Sequence, residues 1–174
     1  MRHTLSRFWA WYERHYTLNV AIAAGLFVLQ LVHLYWLSAD VVAVRLTGES
    51  YFRLEGALRV LILLVDYTEI PALITTSLVY LNDLRRNGLR AQPILFLLFL
   101  NSQWLHLFWI TDEFVVGEFG AGDGQDGGGL PGWLAWVAIG IDYLELPVIA
   151  DTVRRLLASL RERRVGDFLR EELG

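Results

Sequence analysis

Six side chains able to bind a metal ion or carry a proton stand in two matched sets along the chain. Gln30-Leu-Val-His33-Leu-Tyr-Trp36 is answered by Gln103-Trp-Leu-His106-Leu-Phe-Trp109, and Asp66-Tyr67-Thr-Glu69-Ile-Pro71 by Asp142-Tyr143-Leu-Glu145-Leu-Pro147. On a helix, residues three apart share a face, so each Asp–Glu pair points one way and each glutamine lies beside its histidine. Four carboxylates carry a charge of about −4, which two divalent cations cancel, and two neutral imidazoles complete the ligand shell. The expected cofactor is therefore a pair of divalent transition-metal ions, iron first and manganese or zinc as alternatives. Its ligands would be His33, Asp66, Glu69, His106, Asp142 and Glu145. Gln30, Gln103, Tyr67 and Tyr143 are candidates to orient those ligands from behind, the tyrosines also as redox-active phenols. Asp40 and Glu113, each seven residues past its histidine, form a further pair near the outer mouth that could guide cations inward.

The elements that must position these groups are hydrophobic. Of 174 residues, 55% are hydrophobic, and the mean hydropathy of +0.39 is too high for a soluble domain of this size. Four apolar stretches, 18–37, 57–81, 93–115 and 132–153, each come close to the ~20 residues a bilayer core requires. The expected fold is an all-α, integral membrane four-helix bundle. Cysteine is absent, so disulfides, thiolate sites and cysteine nucleophiles are excluded. Lysine is absent too, and the basic residues other than histidine are all arginine. Phe8, Trp9, Trp11, Tyr12 and Tyr16 lie among arginines before the first stretch, which describes a short interfacial helix rather than a signal peptide.

The matched motifs describe two tandem helix-pair repeats, 17–82 and 92–155, flanked by the interfacial segment 1–16 and a cytoplasmic tail 156–174. Each repeat has an even number of spans, so the copies insert in one orientation around a pseudo-two-fold axis along the membrane normal. Arginines gather before the first span, between the second and third, and after the fourth. Those segments and both termini are expected in the cytoplasm, of a bacterial or archaeal inner membrane. The acidic, glycine-rich stretch 117–132 reads as an outer loop, without the strand that a phosphate-cradling loop needs. Counted at ~1.5 Å per residue, both aspartates and His106 come to one level near mid-membrane. His33 joins them if its helix continues through Val44.

Buried ionisable groups cost roughly 2.5–3.5 kcal/mol each on insertion scales, so six of them demand compensation. In ligand inventory alone, this set resembles the ferritin-like di-iron and di-manganese carboxylate proteins, which gather four carboxylates and two histidines in a four-helix bundle. Those place carboxylate and histidine three apart on one helix, whereas here the acids pair with each other. Pro71 and Pro147 remove helical bonds to the carbonyls of Tyr67 and Tyr143, which should bend each helix beside its acids and widen the site; inherited kinks from a gene duplication are the plainer reading. Trp9, Trp11 and Trp133 read as interfacial anchors, Trp36 and Trp109 as packing, and Asp112 and Asp151 as surface or boundary charges.

Three functions compete. A dinuclear metalloprotein would act redox-wise on an apolar small molecule, lipid or quinone entering from the bilayer. A proton or divalent-cation transporter or channel would also place acids and histidines on a repeat axis, and as a homo-oligomer would have enough helices for it. A b-type haem protein would use His33 and His106 as axial ligands. No nucleic-acid partner is expected. Tight metal binding with bridging spectroscopic signals selects the first reading, weak reversible binding with proton-dependent flux the second, and a Soret band the third.

Overall fold

The computed structural model describes residues 2–53, 55–110 and 132–173, and over them the chain is all-helical. Helix α1 (Arg2–Arg14) leads to α2 (Tyr16–Trp36), which passes through a π-helical segment (Leu37–Val42) into α3 (Ala43–Thr47). There follow α4 (Ala57–Tyr67), α5 (Glu69–Asn87), α6 (Ala91–Ile110), α7 (Gly132–Tyr143) and α8 (Glu145–Leu173). Asp112, Glu113 and the glycine-rich stretch lie outside the described residues.

Two helical runs are long and apolar enough to cross a membrane: Tyr16–Thr47, of 32 residues, and Val60–Asn87, of 28. The first includes the continuation past Ala39 that brings His33 deeper into its helix. It stops at Gly48, whose φ of 79° closes the last turn by donating its N–H to the Val44 carbonyl at 2.9 Å. At the other end, the tail that follows the fourth apolar stretch is not a separate element. Instead α8 runs unbroken to Leu173, because its second half is rich in leucine, arginine and glutamate and has no proline to stop it.

Helices α2 and α6 each pack against both α5 and α8, so α5 and α8 stand on opposite sides of the core with α2 and α6 between them. Both acid-bearing segments are interrupted at one residue, Thr68 between α4 and α5 and Leu144 between α7 and α8. There the pattern tightens to bonds three residues apart, Thr68 N to Val65 O (2.9 Å) and Leu144 N to Ile141 O (3.0 Å). Each proline becomes the third residue of the restarted helix, within the first turn, where its missing N–H costs nothing. The glutamates Glu69 and Glu145 become the first residues of α5 and α8, where the helix dipole favours negative charge.

The distribution of polarity is inverted relative to a protein folded in water. Leu98, Leu105 and Leu64 are 63%, 61% and 58% exposed, while Gln103, Asp142 and His106 are 0%, 4% and 7% exposed. Exposed apolar surface of this extent, with two helical runs long enough to span a bilayer, is compatible with a membrane surrounding. At one end, α1 docks back on the core through an ion pair between Glu13 and Arg85, whose guanidinium also lies 5.1 Å from the centre of the Trp9 ring. Tyr12 is buried there, whereas Leu5 and Trp11 stay exposed.

On a lipid-facing surface a charge would act on insertion and not on packing. Leu105→Arg is expected to lower the membrane-integrated fraction after alkaline extraction, at a cost of roughly 2.5–3.5 kcal/mol, while Leu105→Ala leaves it nearly unchanged. Equal integration of the two variants would contradict a lipid-facing surface.

Candidate metal centre

The two helix interruptions decide where the chemistry sits. Each ends one helix on Asp-Tyr and begins the next on Glu, so aspartate and glutamate flank a break and both turn inward; all four are 4–5% exposed. The histidines come from α2 and α6, the helices that flank α5 and α8, and are equally buried. His33 Nδ1 is in contact with Asp66 Oδ1, and His106 Nδ1 lies 2.9 Å from Asp142 Oδ1, so the same histidine–aspartate pairing occurs in both halves. The halves also meet: His33 Nε2 is 3.9 Å from Asp142 Oδ2, and the two imidazole centres are 6.2 Å apart. One ligand atom each from His33, His106 and Asp142 fall within 4.8 Å of one another. Asp66 joins this group through His33. Glu69 and Glu145 lie within hydrogen-bonding reach of each other across the core, forming a carboxyl pair beside it.

Proximity has not produced hydrogen bonds. His33 Nδ1 and Nε2, His106 Nδ1, Asp66 Oδ1, Asp142 Oδ2, Glu69 Oε1 and Glu145 Oε1 are all buried without a partner of acceptable geometry. Lone pairs that lie close yet do not point at one another suit a shared cation between them. The 3.9 Å gap between an imidazole nitrogen and a carboxylate oxygen admits an ion bonded to each at about 2.0–2.2 Å. Two carboxylates in one buried site likewise need a cation or a proton between them.

The glutamines act on the backbone. Gln30 Nε2 donates to the Val65 carbonyl and to Thr68 Oγ1, both at 3.0 Å, and Gln103 Nε2 donates to the Ile141 carbonyl at 2.7 Å. Val65 and Ile141 are the residues just before the two aspartates. Each amide thus holds the interrupted turn on which an aspartate rides, where sequence alone suggests direct contact with the ligands. Tyr143 OH shares a 2.6 Å hydrogen bond with Ser38 Oγ, tying α7 to the π-helical segment below which His33 sits. Tyr67, half-buried, takes the corresponding place on α4. Asp40 lies half-buried inside the π segment, and its counterpart Glu113 lies outside the described residues. Trp36 packs on His33 with ring centres 5.9 Å apart.

A second polar cluster goes beyond what the sequence suggests. Asp151, read there as a boundary charge, accepts hydrogen bonds from Tyr80 OH (3.0 Å), Arg155 Nε (2.7 Å) and Gln92 Nε2 (3.3 Å). Arg155 also donates to Asp83 Oδ2 at 2.8 Å and lies 5.1 Å over the Tyr80 ring. Burial by itself would lower the pKa of its guanidinium, but the hydrogen bonds and charges of Asp151 and Asp83 outweigh this and hold it above the ordinary arginine value. The one sequence signal for this cluster is the four-residue spacing of Asp151 and Arg155 on one helix face.

Comparison with protein-family models, with curated proteins and with solved structures finds no match, so the functional reading rests on this chain's own residues.

The glutamine contacts yield an asymmetric prediction. After Gln30→Ala the Val65 carbonyl keeps a bond from Thr68 Oγ1 at 2.7 Å, whereas after Gln103→Ala the Ile141 carbonyl has no side-chain donor, since Leu144 replaces the threonine. Loss of a buried partner costs about 1–3 kcal/mol. Thermal unfolding in detergent should show Gln103→Ala melting below Gln30→Ala; the reverse order would refute this role.

Proposed function

We propose that the protein is a membrane-embedded metalloprotein with a dinuclear carboxylate–histidine centre, iron first and manganese or zinc as alternatives, held in a four-helix bundle of two tandem repeats. The observation that carries this reading is the convergence of buried ligand atoms from His33, His106 and Asp142 within 4.8 Å, with Asp66 in contact with His33. One ion would lie among His33, His106 and Asp142, the group whose ligand atoms come within 4.8 Å. The other would lie toward the Glu69–Glu145 pair, with Asp66. Two divalent ions balance four carboxylates, and no arginine is paired with any of them among the described residues. The repeated histidine–aspartate and glutamine–carbonyl contacts support the reading of two copies of one hairpin.

Such a pair of ions, when bound, supplies Lewis-acid or redox chemistry toward a substrate. The chain's own part is to exclude bulk water, to fix each aspartate through its glutamine-held turn, and to expose leucine-rich surface through which an apolar small molecule or quinone reaches the site from lipid. Membrane placement with both termini in the cytoplasm follows from the arginine distribution. The haem reading fits less well, because Asp142 Oδ2 faces His33 Nε2, the nitrogen an axial ligand would present once Nδ1 is engaged by Asp66. Cation transport is the second reading only in sharing these ligands; nothing else among the described contacts favours it over resident metal.

Single replacement by alanine of His33, Asp66, Glu69, His106, Asp142 or Glu145 is expected to cut the metal retained by purified, folded protein, at least tenfold at His33, His106 and Asp142, a loss of about 1.4 kcal/mol or more in affinity. Asp40→Asn should retain it. Unchanged metal content across the six variants would sink the proposal.

A further inference from the structure

At the arginine-rich end of the molecule a cleft of about 290 Å³ opens between the start of α2, the end of α5 and the middle of α8. Asn82 on its wall stands about 20 Å along α5 from Glu69, with packed apolar side chains between them, so the cleft is separate from the buried carboxylates. Tyr16 forms its α2 side, a residue type enriched where a membrane meets water. Leu18, Leu81 and Leu157, next or next but one in sequence to lining residues, are exposed beside it.

The charges lining the cleft are balanced but not all spent. Asp83, Arg86, Arg155 and Glu162 sum to zero, which suits a ligand carrying one charge of each sign better than an anion. Arg155 donates to Asp151 and Asp83 at 2.7 and 2.8 Å, and Asp83 also accepts from Asn87, so this part of the wall is fixed from within. Arg85 is paired with Glu13 and donates to Asn82 Oδ1 at 3.2 Å, which leaves the amide N–H groups of the buried Asn82 to the cleft. Arg86 and Glu162, both exposed, have no such partner among the described residues.

We propose that this cleft binds the headgroup of a zwitterionic phospholipid with a primary amine, its phosphate on Arg86 and the Asn82 amide and its ammonium on Glu162. A guanidinium presents a planar fork of donors that matches phosphate oxygens. A primary ammonium brings three N–H donors to a carboxylate, which a trimethylated amine does not. The exposed leucines beside the cleft give the acyl chains apolar surface. The inference rests on membrane placement of this end and not on metal.

The test is native mass spectrometry of the full chain, released from detergent after incubation with an equimolar mixture of dioleoyl-phosphatidylethanolamine and dioleoyl-phosphatidylglycerol. The wild-type chain should retain the ethanolamine lipid several-fold more than the glycerol lipid. Arg86→Gln should lower retention of both several-fold, and Glu162→Gln should abolish the preference. Arg154→Gln, which neutralises an exposed arginine of α8 off the cleft, should change neither. Equal retention of the two lipids by the wild type, or a preference that Glu162→Gln leaves intact, would overturn the proposal. So would a melting temperature raised by soluble phosphoethanolamine with neither lipid retained, which assigns the cleft to a free ligand. Failure of the membrane placement is read separately, as release of the chain by alkaline extraction, and metal content does not enter.

Discussion

A carboxylate shut away from water must be given a proton, a cation or a donor, and the interior of this protein is arranged around four of them. The penalty for leaving any one uncompensated is of the order of several kcal/mol, comparable to the whole stability of a small domain. Histidine–aspartate contacts in each half answer part of that demand, and the Glu69–Glu145 pair answers another part only if something positive lies between. Bound cations would meet that remaining requirement, as the proposed metal centre supposes.

Local backbone structure serves the same end. A proline placed three residues into α5 and again into α8 forces the helix to restart, and the break falls between aspartate and glutamate. The restart turns both acids inward, sets each glutamate at a helix N-terminus, and presents the carbonyl of the tightened turn, which already accepts one backbone N–H, to a glutamine from the neighbouring helix. Sequence, break, grip and site are thus consecutive links of one chain of cause.

Much of this is legible in the sequence because a polar residue inside an apolar stretch is costly to bury and must face a partner. His33, His106 and the two Asp–Glu pairs stand out against leucine and valine, and their order predicts which helices face the core. Pro71 and Pro147 mark the bends. The direction of the glutamine side chains is not legible, since an amide three residues from a histidine can reach a ligand as well as a main-chain carbonyl. Asp151 resembles a boundary charge for a similar reason: its partners Tyr80 and Gln92 lie far away along the chain, and only packing of α5, α6 and α8 brings them together. The π-helical turn after His33 is equally hidden, because hydrophobic periodicity does not distinguish an extra residue in one turn from a change of face. In α8 the shift from apolar to charged composition imitates the end of a helix, although helix formers continue through it.

The inverted polarity of the helices, apolar outside and ionisable inside, is what joins the membrane reading to the metal reading: lipid would remove water from around the acids, and metal would restore the lost stabilisation. The most direct measurement is elemental analysis by mass spectrometry, with an absorption spectrum, on detergent-purified protein that has met neither chelator nor a histidine tag. The account predicts about two transition-metal ions per chain and no Soret band. Protein that is folded, membrane-derived and free of both metal and haem would contradict it.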